Sequence, residues 1–443
     1  MKLVQVTRQI LEGRSATFAT LQTLLTRILI LAINIATGII TARALGAEGR
    51  GEQAAMIMCP QFLTYVMTLG LPSALLYNLK RFPKERNQLI TAALIMATGL
   101  GTLTVLVGVL FIPYWLSQYP PEAIIAAQWF MCIAPLKLIS IILLFALEAD
   151  GEFSLSNKLR YLLPLATLII LCALLLTGTI TPFTSGIAYI IPEIPLTIWL
   201  LISISKRFKI QWQRLSISYR KLLSYGIRSY GVDIVKTLSG RIDQFLVVGL
   251  LSPELMGMYV VTISLSRMLN VFQESIVTVL LPQIVDRPPT EAASLTTQAA
   301  RLSTVFSLPI AIIAMLVGPL LLRLLYGSDF LGAVLLLRIL LLEAVIKGAV
   351  WILVQVFMAS GRPGMVTIFQ GLSLGASFFL MMLLIPIYGL EGTGIALLCS
   401  STALLIIVLA CYPLVLKLNM PNLFNISEDL PLIKQKFKLF VSG

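Results

Sequence analysis

Runs of about twenty predominantly apolar residues recur along almost the whole chain, and no other feature limits the fold as strongly. A helix of that length crosses the hydrocarbon layer of a bilayer, which is roughly 30 Å thick. Inside that layer every backbone polar group needs an internal partner, so runs of this length predict helices. We therefore predict an all-α polytopic membrane protein with no large soluble domain.

Glycine, proline and charged residues interrupt the apolar runs and predict about twelve spanning helices. The first six are expected near residues 18–44, 53–79, 88–116, 123–147, 157–177 and 181–204. The second six are expected near residues 222–250, 256–282, 302–326, 331–358, 364–387 and 392–416. Charges are spread over the first 14 residues, ahead of an apolar run too long for a signal peptide, so no cleavable signal is expected.

Lysine and arginine are distributed unequally between the two alternating sets of loops. One set contains basic clusters such as residues 80–86 and 206–221, whereas most loops of the other set contain no basic residue. Because cytoplasmic loops carry an excess of Lys and Arg, both chain ends are predicted to be cytoplasmic, in a plasma (inner) membrane protein. The net charge of +13 has the same explanation and does not indicate nucleic-acid binding.

Three short matches at offsets of about 206–210 residues indicate an internal repeat. Residues 45–51 align with residues 251–257 and share Leu, Glu and Gly at the same spacing. Six spans per half give both halves the same orientation, which predicts a pseudo-two-fold axis along the membrane normal and substrate binding between two lobes. The alternative is a duplication without a central cavity. The predicted segments are an N-terminal lobe at 1–205, a basic cytoplasmic linker at 206–221, a C-terminal lobe at 222–417 and a cytoplasmic tail at 418–443.

Ionisable side chains within the spans are the candidate functional residues, because such groups usually face a wet cavity or the bundle interior. A cationic cavity implies an anionic ligand, and Arg and Lys suit phosphate. The predicted substrate-binding residues are Arg27, Asn34, Lys137, Arg228, Lys236 and Arg267. Asp233 and Asp243 are predicted to bind a coupling ion. The competing structural hypothesis is that the charges pair, Asp233 with Lys236 at i+3 and Glu343 with Lys347 at i+4.

Several kinds of chemistry are excluded by residue types. The chain has no histidine, so histidine catalysis, histidine proton relays and histidine metal sites are ruled out. Its five cysteines lie singly in apolar segments, without the paired spacing of a metal site or a disulfide framework. A GxxxxGK[ST] phosphate loop is also missing. We expect a transporter rather than an enzyme, with no cofactor and no metal.

The loop motifs resemble those of a known family. Residues 42–51 (Ala-Arg-Ala-Leu-Gly-Ala-Glu-Gly-Arg-Gly) resemble the stretch after the first helix of polysaccharide flippases. These belong to the multidrug/oligosaccharidyl-lipid/polysaccharide exporter superfamily. Residues 241–259, 326–330 and 385–392 are similar to further stretches of the same family. The motifs are loose, but the resemblance extends over nearly the whole chain.

The resemblance implies two six-helix lobes around a central cavity. It also implies flipping of a polyprenyl-pyrophosphate-linked oligosaccharide to the outer leaflet, driven by membrane potential or by exchange of a monovalent cation or proton. The expected partners are this lipid-linked anionic glycan and membrane lipids. The first span departs from the multidrug branch, because it carries Arg27 and Asn34 where that branch has an acid. The alternatives are a cation-coupled multidrug exporter with cation sites at Glu193, Asp233 and Asp243, or a membrane-embedded glycan polymerase or ligase, which the short external loops disfavour.

Overall fold

The computed structural model describes residues 2–206, 208–213 and 215–423, and within them all side chains except those of residues 2–25, 27, 153 and 154. This part of the chain is helical and contains no strand. The helices of the first half are α1 (Lys2–Val66), α2 (Leu71–Arg81), α3 (Arg86–Trp115), α4 (Pro121–Phe130), α5 (Ala134–Ala149), α6 (Phe153–Leu176), α7 (Pro182–Ile190) and α8 (Glu193–Ser205). The helices of the second half are α9 (Leu215–Leu250), α10 (Pro253–Ile284), α11 (Pro289–Leu321), α12 (Val334–Leu353), α13 (Gln355–Ala359) and α14 (Pro363–Cys411).

Eight segments of the described chain are long and apolar enough to cross a membrane. They are Ile28–Val66, Pro83–Trp115, Pro121–Ala149, Leu155–Leu176, Pro182–Ser205, Pro253–Ile284, Pro289–Tyr326 and Pro363–Leu416. The prediction of an all-α polytopic membrane protein is therefore confirmed. The charged helices α9 and α12 are not among the eight, and the count of twelve spans stays a prediction.

Two of the long helices, α1 and α14, each consist of two helices that meet at a glycine. Gly46 has φ 69° and ψ −174°, and Gly389 has φ 58° and ψ −129°. Positive φ is accessible to glycine but strained for a residue with a Cβ atom, so these two glycines permit the chain to change direction. Both lie within breaks between apolar runs that the sequence predicts.

The contacts divide the chain into two compact units. One comprises Met1–Met258 and Leu325–Gly327, the other Tyr259–Leu324 and Ser328–Gly443. In the first unit, buried residues of α2, α3, α5, α6, α8 and α9 form one hydrophobic core. In the second, residues of α10–α14 form another, in which the Phe357 ring packs edge-on against Phe369. The predicted lobe boundary at residue 222 follows the internal repeat and stays a prediction.

Helix α9 packs along α1, α2 and α3 in the first unit. Near its middle, the hydroxyl of Tyr230 donates to the backbone carbonyl of Val66 at 2.5 Å. Near its end, the Phe245 ring stacks on Phe62 at 4.1 Å and on Trp115 at 4.6 Å. These aromatic contacts and the burial that accompanies them hold a strongly charged helix against apolar neighbours.

The two copies of the repeated loop segment meet within the first unit. A Cβ atom on Gly51 would lie 1.7 Å from the carbonyl oxygen of Pro253, and one on Gly257 would lie 1.9 Å from that of Ala47. Gly51 and Gly257 occupy equivalent positions of the repeat, as do Ala47 and Pro253, so the contact is reciprocal. A two-fold axis generates contacts of this kind. Neither glycine position has room for a side chain.

Candidate functional site

Two predicted substrate-binding residues lie on α1. The side chain of Arg27 lies outside the described residues, so its role stays a prediction. Asn34 is exposed. On the same helix the hydroxyl of Thr37 donates to the carbonyl of Asn34 at 3.0 Å, and that of Thr41 donates to the carbonyl of Thr37 at 2.7 Å. The threonine protons on this face are thus used within the helix, and the Asn34 amide is the polar group that faces outward.

Lys137 forms an ion pair with Glu193. Its ammonium on α5 donates to the carboxylate at the start of α8, with Nζ and Oε2 2.6 Å apart. The lysine side chain is 22% exposed and the glutamate side chain 4%. The pair borders a cavity of about 30 Å³ that Gln61, Thr64 and Tyr189 also line, enough for about one water molecule. The sequence predicts Lys137 as a substrate-binding residue, and Glu193 as a cation site only in the multidrug alternative; the structure instead joins the two in one ion pair.

The charges of α9 lie in different surroundings although their spacing places them on one stripe. Asp233 is half-buried, Lys236 is exposed and Asp243 is 3% exposed. Asp233 and Lys236, both in the described part of the chain, do not form the ion pair that their i+3 spacing allows. Arg241 lies over the ring of Tyr65 on α1, with its guanidinium carbon 5.0 Å from the ring centre. The stripe therefore passes from an exposed part of the helix into the packed interior.

In the second unit, Arg267 on α10 is half-buried. On α12, Glu343 is buried and accepts from Lys347 of its own helix at 3.3 Å and from the hydroxyl of Ser401 on α14 at 2.9 Å. The predicted pairing of Glu343 with Lys347 is confirmed. Ser401 adds a bond between two helices that spacing along one helix could not reveal.

A cluster of cations lines a pocket of about 400 Å³ between α2 and α9, called here the basic pocket. Its lining residues are Tyr77, Asn78, Arg81, Phe82, Ile217, Arg220, Lys221, Ser224, Tyr225 and Arg228. Three arginines and one lysine are among them, and no acid is. The basic pocket contains Arg228, which the sequence predicts as a substrate-binding residue, and none of the other predicted site residues.

Aromatic and ionic contacts fix the walls of the basic pocket. The rings of Tyr77 and Tyr225 stack across α2 and α9 with their centres 4.1 Å apart. The Arg81 guanidinium donates to the Tyr77 hydroxyl. Lys221 donates to Glu85 at 2.5 Å, and its Nζ lies 3.9 Å from the centre of the Phe82 ring. Contacts between cations and aromatic faces stabilise these orientations.

Reasoning from sequence missed Arg81, Arg220 and Lys221 as site residues. Their signal was the pair of basic runs at residues 80–86 and 206–221, which served to orient the protein in the membrane. Lysine and arginine near a helix C-terminus also interact favourably with the helix dipole, which accounts for Arg81 in the last turn of α2. Only the packing of α2 on α9 shows that the two runs share one pocket.

Tyr119 is a buried ionisable residue in the connection between α3 and α4. It is 5% exposed, and its hydroxyl has no hydrogen-bond partner among the described residues. Burial, reinforced by negative charge on neighbouring acidic groups, raises the pKa of this phenol well above its usual range. The hydroxyl is therefore neutral over the whole physiological pH range.

The comparisons with known proteins define the family. A sequence model described as "Polysaccharide biosynthesis protein" matches residues 40–335, which is about two thirds of the chain. The chain belongs to this family of polysaccharide biosynthesis proteins. The match begins just before the loop motif at residues 42–51 and confirms the resemblance drawn from it. A comparison with curated proteins finds no significant match.

Solved structures show the fold of this polysaccharide biosynthesis protein. It is similar to the inward closed conformation of the lipid II flippase MurJ, with a TM-score of 0.73 and 16% identity, over 96% of this chain and 93% of that one. An inward-facing multidrug resistance MATE transporter of the MOP superfamily has a TM-score of 0.66 and 13% identity, over 87% and 92% of the two chains. A MOP superfamily transporter from Pyrococcus furiosus has a TM-score of 0.58 and 13% identity, over 88% and 92%. The family member is thus a multi-pass membrane protein with the fold of these transporters.

Proposed function

We propose that this protein is a flippase that moves a polyprenyl-pyrophosphate-linked oligosaccharide across the plasma membrane for surface polysaccharide export. The observation that carries the proposal is the family match over residues 40–335, in a chain with the fold of a lipid II flippase over 96% of its length. Flipping changes no covalent bond, so the protein acts without catalytic residues or a cofactor.

The proposed mechanism is alternating access through a cationic central cavity between two six-helix lobes. The pyrophosphate is bound by cavity cations while the polyprenyl chain stays in lipid, because burying a doubly charged group in hydrocarbon without partners is prohibitive. The proposed substrate contacts remain Arg27, Asn34, Arg228, Lys236 and Arg267, whereas the charge of Lys137 is already paired with Glu193. Asp233 and Asp243 remain the proposed ion sites on α9.

Three features support the proposed lobes and orientation. Helices α1 and α14 are each broken at a glycine, so each of them counts as two spans. This count agrees with twelve spans and two cytoplasmic chain ends. The reciprocal contact of Gly51 and Gly257 agrees with a two-fold relation between the repeats. The basic linker at residues 206–221 supports a cytoplasmic position for the junction.

A cation-coupled multidrug exporter is the second candidate, favoured by the similarity to MATE transporters. Such an exporter binds its coupling cation at acidic side chains. Glu193, the acid deep in a span of the N-terminal half, is already neutralised by Lys137 at 2.6 Å. That pairing weighs against the second candidate.

The test is translocation in proteoliposomes. A fluorescent polyprenyl-diphosphate oligosaccharide is followed with a membrane-impermeant quencher, with and without an ion gradient or membrane potential. We expect protein-dependent flipping of chemically unchanged lipid, its loss in Lys236→Ala, and wild-type activity in the control Lys209→Ala, an exposed linker lysine. Export of cationic dyes without movement of the glycolipid would replace the proposal with the second candidate.

A further inference from the structure

The charge of the basic pocket is unbalanced. Four cationic side chains line it, and Glu85 outside the lining neutralises one of them, Lys221. Arg81, Arg220 and Arg228 have no acidic partner in the described part of the chain. Like charges gathered at one site repel one another, and the repulsion is greater near a low-dielectric membrane than in water. A multivalent anion in the pocket relieves this repulsion.

The cations lie on matching faces of two helices. On α9, Arg220, Ser224 and Arg228 are spaced by four residues and therefore lie along one side of the helix, one turn apart. On α2, Tyr77 and Arg81 have the same spacing. Two helix faces thus present arginines to one volume, and guanidinium groups bind phosphate oxygens in a fixed two-pronged geometry that an ammonium lacks.

The walls of the pocket are ordered before any ligand arrives. The Tyr77–Tyr225 stack and the hydrogen bond from Arg81 to the Tyr77 hydroxyl hold one side. The Glu85 carboxylate and the Phe82 ring hold Lys221 on the other. A site with fixed side chains loses less conformational entropy on binding than a mobile one. Its volume of about 400 Å³ lies in the range of small-molecule sites in proteins, about 300–1,000 Å³.

We infer that the basic pocket is a binding site for a diphosphate group, located where α2 ends and α9 begins. This site is separate from the proposed central-cavity residues, apart from Arg228, and its charge does not depend on them. If the proposed function holds, the pocket receives the lipid-linked diphosphate from the cytoplasmic leaflet, because its basic runs are those that the positive-inside rule places in the cytoplasm. The anion chemistry itself stands without the proposed function.

The experiment is a binding titration with the full-length protein in phosphatidylcholine nanodiscs, which add no anionic lipid. Inorganic pyrophosphate, inorganic phosphate and farnesyl diphosphate are titrated by calorimetry. The wild type is expected to bind pyrophosphate saturably and more tightly than phosphate. The double variant Arg220→Ala/Arg228→Ala should lose at least about tenfold in affinity, since it removes two charge-assisted contacts. The control Lys84→Ala, an exposed lysine of the same basic run outside the lining, should bind like the wild type.

A second test leaves all the charged residues of the basic pocket in place. Ser224 lines the pocket and is exposed. In Ser224→Cys, pyrophosphate should slow alkylation of the new thiol, followed at that site by peptide mass spectrometry. Absence of saturable binding, or equal affinity in the double variant and the control, overturns the inference. So does alkylation at an unchanged rate.

The source of the diphosphate is read from the same titrations. If farnesyl diphosphate binds more tightly than pyrophosphate, and the double variant removes this difference, the natural ligand is the headgroup of a lipid. Equal affinities identify a free diphosphate. Glycolipid flipping that persists when the double variant no longer binds pyrophosphate overturns the pocket as a receiving site and leaves the flippase intact. If the wild type binds pyrophosphate but flips no glycolipid, the flippase proposal is overturned and the pocket remains a diphosphate site.

Discussion

Removing one member of the Lys137–Glu193 pair should destabilise the protein more than removing both. The two charged atoms are 2.6 Å apart, and the glutamate side chain is almost fully buried, at 4% exposure. Leaving a buried charge without its partner costs about 3–5 kcal/mol, whereas replacing the whole pair with uncharged groups of similar shape is often nearly neutral. The perturbation is therefore Lys137→Met, Glu193→Gln and the combination of the two.

The structure also predicts an asymmetry between the single variants. Lys137→Met leaves the more deeply buried carboxylate without its partner, and we expect a loss of stability near the lower end of that range, about 3 kcal/mol. Glu193→Gln strands an ammonium that is 22% exposed and keeps an amide oxygen as acceptor. Its expected loss is about 1–2 kcal/mol. The double variant should lie within about 1 kcal/mol of the wild type.

The assay is reversible unfolding in mixed detergent micelles, followed by circular dichroism, with Lys158→Met on α6 as a control for removing an exposed lysine. The control should change stability by less than about 0.5 kcal/mol. The double-mutant cycle should give a coupling energy well above 0.5 kcal/mol, roughly the limit of additivity for independent sites. Additive single effects, or a double variant less stable than either single one, would refute the reasoning.

Three further predictions concern packing and hydrogen bonds. Gly51→Ala should prevent folding or severely reduce the yield of folded protein, because the new methyl group would lie 1.7 Å from a backbone oxygen. Gly38→Ala is the control and should be tolerated, because nothing lies within 4 Å of the added Cβ. Fluorescence-detected size exclusion compares the two variants. Ser401→Ala should cost about 1.5–3 kcal/mol through its lost bond to a carboxylate, and Ser400→Ala, whose hydroxyl bonds its own helix, less, in the same unfolding assay. Tyr119→Phe should be neutral or stabilising. It should also reduce the loss of stability seen as the pH rises above about 10, since a phenol whose pKa is raised by folding stabilises the folded state fully below its unfolded pKa and progressively less as the pH rises through its folded pKa; equal alkaline profiles would contradict this.

Local patterns in the sequence predicted a large part of the fold. Apolar runs predicted an all-α membrane protein, and the i+4 spacing predicted the ion pair of Glu343 with Lys347. Both depend on residues close in the chain, where helix geometry alone decides which side chains meet. The resemblance at residues 42–51 could be recognised for the same reason, because that motif is a short contiguous stretch, and the match over residues 40–335 confirms the family.

The candidate site was harder to predict because its contacts join distant residues. Glu193 lies 56 positions from Lys137, and Lys221 lies 136 positions from Glu85. A helix has one favoured period but can be rotated and placed in many ways, so the sequence shows that charges exist without showing which neighbour each one faces. The failure of Asp233 to pair with its i+3 lysine shows that favourable spacing permits an ion pair without requiring one.

The reciprocal contact at Gly51 and Gly257 predicts which second mutations could restore a variant that is defective at either glycine. The atoms that an added methyl group would strike are main-chain atoms of Pro253 and Ala47. No second substitution can shorten a backbone, so a defect at either glycine can be rescued only by changes that shift a whole helix. Gly348 is the opposite case, because its added Cβ would meet the side-chain amide of Gln273, which a smaller residue would remove. A suppressor screen started from each glycine should therefore return distant, helix-shifting revertants in one case and a neighbouring side chain in the other.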